Sequence, residues 1–441
     1  MAVSLLQESE VPSEAAERAV DLLIDYLAVV ERGARTASSA ALRAALAAPE
    51  GPALLAGGGR TRAEDAALFN GTASHSVELD DTYEPGSLHP GVAVWPAVIA
   101  LADELGSPPA AALAAAVHGY DVTCELGQRL GPDRAYARGF HPTGVCGVVG
   151  AAAASARLLE LDETEARDAA GIAASMAGGL LAFLDDGAWT KRLHAGRAAE
   201  GGVRAARLAA AGFRGPADAF DGRHGFLHAF GGEEVLEVPA AGPGSGVLQT
   251  SVKLHPSCRY THPCIDLLLE IAPGAEEVEA VECGVLRAGW TLVADPIDRK
   301  RAVRSPVDAQ FSMPFTAALA IERGAVRLDD VEDAERLGRE LEPLASRVSC
   351  FEDEAIEAAF PGSWGAVVRV RYRDGRREER RCSDPVGSPS RWVGREGILE
   401  KAATLLGDEW AAAAERAAAD LTSAATLGEA LAAPRGAAPR P

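Results

Sequence analysis

The chain has 441 residues, 48% of them hydrophobic, with 64 acidic against 43 basic residues and a net charge of −21. That charge argues against a general nucleic-acid or anionic-membrane partner, and the length calls for more than one domain or one large core with an inserted module. No run of 18 apolar residues offers a membrane span, the start MAVSLLQESEVPSE lacks the basic region of a signal peptide, and seven scattered cysteines without a CxxC pair indicate buried thiols in a reducing cytoplasm.

Helical periodicity begins after Pro12-Ser13, where Val20, Leu23, Ile24 and Leu27 recur at i, i+3, i+4 and i+7. A second helix is predicted over 38–47, a loop over 51–59, and a helix over 63–78. That helix leads into the polar stretch NGTASHSVELDDTYEPGSLHPGVAVWP at 70–96, where Pro85, Gly86 and Pro90 break it. Helices follow over 96–105 and 108–127. GFHPTG at 139–144 interrupts the pattern before a helix over 145–161. Two helical segments are predicted over 163–184, the second apolar nearly all round and therefore central. After Asp185-Asp186-Gly187 comes a helix over 198–211, then an aromatic irregular stretch over 213–232 and a linker over 239–246.

The texture changes from there. Val281, Cys283 and Val285 alternate as in a strand, and Val368, Val370 and Tyr372 alternate before the hairpin signal Asp374-Gly375. Helices over 311–322 and 332–344 lie between them. After Pro389 helices return over 398–406 and 409–418, and the tail APRGAAPRP is expected to be disordered. The chain is thus predicted to be mainly α. A large all-helical domain from 1–250 and 395–441 would carry an inserted α+β lid domain at 251–394.

Three patterns carry chemistry. The stretch 75–89 holds Glu78, Asp80, Asp81, Glu84, Thr82, His75 and His89, a set suited to moving protons. His75 reads as a core histidine with a satisfied ring, whereas His89 sits in the loop and reads as functional. Two basic islands free of acids, one containing Lys191, Arg192, His194 and Arg197 and the other Lys253, His255, Arg259 and His262, suggest a pocket for a small di- or tricarboxylate. A third basic segment, Arg299-Lys300-Arg301 with Arg304, lies in the α+β part. Only four of the 43 basic residues are lysine (191, 253, 300 and 401), which suggests lysine is kept where a compact ammonium is needed. No phosphate loop, nucleophile elbow or zinc spacing is present, and Asp80, Asp81 and His89 match no metal motif. Neither a metal nor a cofactor is expected.

In order along the chain, NGTASHSVELDDTYEPGSLHPGVAVWPA, GFHPTGVCG, DDGAWTKRLHAGRAAEGGVRAARLAAAGFRGP, SVKLHPSCRYTH and DAQFSMPF resemble the MmgE/PrpD family. That family includes 2-methylcitrate dehydratase, cis-aconitate decarboxylase and an iminodisuccinate epimerase. The resemblance implies a large helical domain, an α+β lid, a homodimer and no required cofactor. It also implies functional roles for Glu78, Thr82, His89, His141, Lys191 and Lys253. Glu78 stands where the decarboxylase branch has Asp. The activity it implies is a 2-methylcitrate dehydratase-like elimination of water from a hydroxy-polycarboxylate. An epimerase, isomerase or decarboxylase using the same site, or a non-catalytic polyanion-binding protein, are the alternatives. In the lyase, His89 and His141 would move protons, and Glu78, Asp81 and Thr82 would orient them. Lys191 and Lys253, helped by Arg259, His262, Arg192 and His194, would hold carboxylates.

Overall fold

A computed structural model describes residues 10–46, 50–232, 236–238 and 242–437. It is mainly helical. The chain divides into two compact units, one of Met1–Phe183, Trp189–Val252 and Val393–Pro441, the other of Leu184–Ala188 and Lys253–Trp392. No helix among the described residues is long and apolar enough to cross a membrane.

The first unit is built on Ala63–Ser74, Gly91–Leu105, Pro109–Leu130, Pro142–Leu158 and Thr190–Ala210. Their facing surfaces are dominated by Ala and Gly, so the backbones come close. A Cβ on Gly196 would stand 2.1 Å from the Leu68 carbonyl oxygen, and one on Gly71 would stand 2.8 Å from the Gly196 Cα. Only glycine at both places lets Ala63–Ser74 and Thr190–Ala210 cross there. The C-terminal helix Gly394–Leu406 packs on Ser13–Gly33 and belongs to the same unit. Its Lys401 ammonium lies 2.6 Å from Asp25 Oδ1 and 2.6 Å from the Leu79 carbonyl oxygen, all buried.

Several predicted boundaries move. The helix before the polar stretch ends at Ser74 rather than 78, and Pro96 lies inside Gly91–Leu105. Thr190–Ala210 begins eight residues earlier than predicted and so contains the first basic island. The all-apolar helix predicted up to 184 does not exist. Glu163–Met176 ends before Gly178-Gly179, and the following Leu180 is exposed. Two adjacent glycines remove the side-chain contacts and add the backbone entropy that end a helix. The loop predicted at 51–59 contains one short strand, Ala53–Leu54, which pairs with Arg60–Thr61 just beyond it. The predicted linker lies partly outside the described residues, as do residues 1–9, where no signal peptide was expected, and the last residues of the tail; the start of that tail, expected to be disordered from 433 onward, lies in the helix Ala432–Ala437.

The second unit contains a four-stranded sheet in the order Val348–Phe351, Val278–Gly284, Ala366–Tyr372, Arg377–Cys382. The first pair is parallel and the other two are antiparallel. The hairpin turns where Asp374-Gly375 predicted it, with Gly375 at φ +87°. The strand Val348–Phe351, too short to show alternation, escaped the sequence reading. Helices Met313–Arg323 and Ala334–Ala345 fall close to their predicted ranges.

Candidate active site

The site of the first unit is assembled from three chain segments. The polar stretch leaves its helix at Ser74, and His75 caps it. Glu78 then takes a left-handed backbone conformation, φ +55°, which is uncommon for a residue with a Cβ and points to local strain. A 3-10 turn over Glu84–Gly86 reverses the chain, so Tyr83 N donates to the Leu88 carbonyl at 2.8 Å. This reversal returns His89 to the side of Thr82 and Asp81. His141 precedes Pro142–Leu158, and its backbone N–H donates to the Gly179 carbonyl at 3.0 Å. The Thr143 hydroxyl accepts from His89 N at 3.1 Å and ties the two loops together. Lys191 and His194, three residues apart, share one face of Thr190–Ala210.

These segments bring four imidazoles into a chain of contacts. The ring centroids of His89 and His75 are 5.0 Å apart, those of His75 and His141 5.6 Å with planes only 14° from parallel, and those of His141 and His194 5.4 Å. His75 Nδ1 lies 2.8 Å from Asp80 Oδ2, which is also 3.1 Å from His89 Nδ1. His89 Nδ1 is 2.6 Å from the Asp81 carbonyl oxygen and 3.2 Å from Thr82 Oγ1. A carbonyl only accepts, so His89 carries its hydrogen on Nδ1, and proton exchange with a substrate must use Nε2. Beside the imidazoles lies the ion pair of Lys191 with Glu78, both buried.

The electrostatics follow from this packing. Burial, reinforced by the Lys191 charge, pushes the His75 imidazole below its ordinary pKa; Asp80 and Glu78 oppose the shift. His141 is held well below the ordinary value by burial, then by His75, Lys191, His194 and His89. His194 is pushed down to about 4 by burial, then by His75 and Lys191. Asp81 is pushed up to about 7, chiefly by burial, although Tyr120 and the Gly91 N–H stabilise its charge. A bound polyanion would reverse the trend on the imidazoles, raising their proton affinity when an acid is needed.

Predicted and observed roles differ at several residues. The Asp81 side chain does not orient a histidine: it accepts from Tyr120 Oη at 2.5 Å and from Gly91 N at 3.0 Å, anchoring the start of Gly91–Leu105. The carboxylate facing the histidines is that of Asp80, one residue earlier. Alternation along the loop puts adjacent side chains on opposite sides, which spacing alone did not resolve. His75 is buried, as expected of a core histidine, but its Nε2 has no hydrogen-bond partner among the described residues and its ring joins the cluster. Its spacing of five from Asp80 was the available signal. The Lys191 ammonium, expected to hold a carboxylate of the substrate, pairs with Glu78 of the chain itself. Arg192 is buried and donates to Ser38 Oγ at 2.9 Å. His194, expected to bind substrate, has its Nδ1 3.2 Å from His141 Nδ1.

His75, Asp80 and His89 bring three ligand-type atoms within 4.8 Å of one another, a spacing a metal ion could bridge. The hydrogen bonds account for the cluster differently. Nδ1 of His75 faces a carboxylate and Nδ1 of His89 a carbonyl, so both carry hydrogen and neither offers a lone pair there.

Lys253, Arg259 and His262 belong to the second unit and are buried there. Arg259 Nη1 lies 3.1 Å from the Val386 carbonyl oxygen and 3.3 Å from His262 Nδ1. Guanidinium only donates, so His262 accepts at Nδ1 and donates from Nε2 to the Ser257 carbonyl at 3.2 Å. Burial, then Arg259, His255 and Lys253, keep His262 well below its ordinary pKa. Asp266 Oδ1, 2.9 Å from His255 Nε2, completes this cluster; His255 was in the second basic island without an assigned role, and Asp266 was not singled out.

The sequence of the chain matches the MmgE/PrpD N-terminal domain model over residues 2–238 and the C-terminal domain model over 255–425. The chain belongs to the MmgE/PrpD family. Among its curated relatives, human cis-aconitate decarboxylase is 38% identical over 165 residues, 36% of this chain and 34% of that protein. The cis-aconitate decarboxylase-like protein oryM of Aspergillus oryzae is 28% identical over 414 residues, 87% of this chain and 85% of its own. Cis-aconitate decarboxylase of Aspergillus terreus is 25% identical over 437 residues, 92% and 87% of the two chains.

Proposed function

We propose that this protein is a cofactor-independent lyase that decarboxylates a small unsaturated tricarboxylate of the cis-aconitate type. The observation that carries the reading is the cluster of His89, His75, His141 and His194 beside the Lys191–Glu78 pair. Loss of carbon dioxide breaks a carbon–carbon bond and leaves its electron pair on carbon, conjugated with a remaining carboxylate. The Lys191 ammonium stabilises that charge, and an imidazole protonates the carbon. The polyanion raises the proton affinity of the buried imidazoles, so a proton given up to carbon is readily replaced and transfer occurs only with substrate in place. Thr82 and Asp80 hold His89, and Lys253, Arg259 and His262 are further carboxylate-binding residues in this proposal. The proposal extends to a cytoplasmic homodimer and to the α+β unit acting as a lid during turnover.

The relatives bear decarboxylase names, so decarboxylation takes precedence over the dehydration expected from sequence. Elimination of water remains the second reading, because an imidazole beside the Thr82 hydroxyl also suits loss of a substrate hydroxyl. Incubation with cis-aconitate should release carbon dioxide and yield an unsaturated dicarboxylate. Incubation with 2-methylcitrate should instead raise ultraviolet absorbance if the second reading holds. Neither signal with either acid would sink both.

A further inference from the structure

His141 and His194 face each other through like atoms. Their Nδ1 atoms are 3.2 Å apart, which is a hydrogen bond only if one carries hydrogen and the other does not. The contact is built into the fold. The Gly178-Gly179 segment closes over His194, with Gly179 at φ +137° and a Cβ there standing 3.1 Å from His194 Cγ and Nδ1. The Gly179 carbonyl accepts from His141 N, and the Phe183 ring lies edge-on to both imidazoles, at 6.2 and 6.3 Å. Both rings are therefore held in place, and the one degree of freedom left is where the shared proton sits. Burial, the Lys191 charge and the closeness of His75 hold both rings below their ordinary pKa, and His89 adds to this at His141. Two neutral imidazoles sharing one proton at Nδ1 have opposite tautomers.

We propose that His194 is a positioning residue for His141: its Nδ1–H donates to His141 Nδ1, which fixes His141 as the Nε2–H tautomer and makes it the proton donor of the site. This rests on the proposed need to protonate a carbon after carbon dioxide is lost. In the step, the His141 Nε2–H bond breaks and a C–H bond forms. The proton between the rings moves from His194 Nδ1 to His141 Nδ1, and His194, half-buried, takes a solvent proton at Nε2. Both rings start and finish neutral, and exchange with water resets them after product leaves. His89, with its hydrogen locked on Nδ1 by the Asp81 carbonyl, cannot be an Nε2 donor while neutral, so the two histidines have distinct roles.

His194→Phe keeps a ring against Gly179 and Phe183 but removes both nitrogens. It should lower kcat by about tenfold or more with little change in KM, and alter the pH profile of kcat. His194→Gln, whose amide can donate to His141 Nδ1 but cannot relay a proton, should restore the tautomer and recover part of the lost kcat. Nitrogen-15 spectra of the histidine rings read the tautomer without substrate. The Nε2–H signature of His141 should be present in the wild type, lost in His194→Phe and regained in His194→Gln. Wild-type kcat and pH profile in His194→Phe, or a His141 spectrum indifferent to both changes, overturns the inference. If no substrate turns over, the proposed reaction falls while the ring spectra still decide the positioning role. If His194→Phe fails to fold, the glutamine variant and the wild-type spectrum decide it.

Discussion

Asp80 and Asp81 are adjacent and chemically identical, yet the structure gives them different work. Asp80 faces His75 and His89, while Asp81 holds Tyr120 and the start of a helix. Asp80→Asn should therefore lower kcat by about 100-fold, within the span that general acid–base groups contribute. Asp81→Asn should leave kcat within a few-fold of wild type. Steady-state kinetics of the two variants check this, and the reverse order would restore the sequence assignment. Glu78→Gln leaves the Lys191 ammonium buried beside a neutral amide. Breaking a buried pair on one side costs about 3–5 kcal/mol, so a large drop in the denaturation midpoint is expected. Lysine usage was legible from composition alone: Lys191, Lys253 and Lys401 are buried and Lys300 is half-buried, its Nζ 2.5 Å from the Leu292 carbonyl oxygen. What the Lys191 and Lys401 ammoniums meet was not legible, because Glu78 and Asp25 are 113 and 376 residues away in sequence.

At the scale of elements, the site depends on how closely helices approach. Gly196→Val should push Thr190–Ala210 away from Ala63–Ser74, because a Cβ there would stand 2.3 Å from Thr72 Oγ1 as well as against Leu68. Overpacking of this kind costs about 1–3 kcal/mol, and the displacement of Lys191 from Glu78 should lower activity beyond what stability alone explains. The helix Gly394–Leu406 reaches the site loop through Lys401 and the Leu79 carbonyl. Lys401→Ala removes both contacts and leaves Asp25 buried, so a loss of about 3–5 kcal/mol in unfolding free energy is expected. The periodicity of these helices was readable where Leu and Val alternate with polar residues. It failed in the Ala- and Gly-rich stretch after Glu163, where small residues signal close packing and chain termination alike.

For the whole molecule, opposite pKa shifts give opposite pH dependences. His194 binds its proton only near pH 4 when folded, against 6.5 ordinarily, so between those values the unfolded chain holds more protons. Its contribution to stability is present above pH 6.5 and is lost as the pH falls through that window, and His75, His141 and His262 act in the same direction. Asp81 titrates near 7 when folded against 3.8 ordinarily, so its contribution is present at low pH and is lost as the pH rises toward 7. Relative to wild type, Asp81→Asn should therefore be more stable at pH 8 than at pH 5. His194→Phe should lose less stability than wild type on acidification from pH 6.5 to 4. Urea midpoints across pH check both.

The sequence by itself determined the family, the mainly helical class, the residue types at the site and the hairpin at Asp374-Gly375, because motif order, apolar period and turn chemistry are local properties. Only the tertiary structure decided which carboxylate faces the histidines, that Lys191 meets Glu78, and that His75 and His194 join His141. Those pairings cross 113 residues for Lys191 and Glu78 and 53 for His141 and His194. They are set by where glycine lets one backbone approach another.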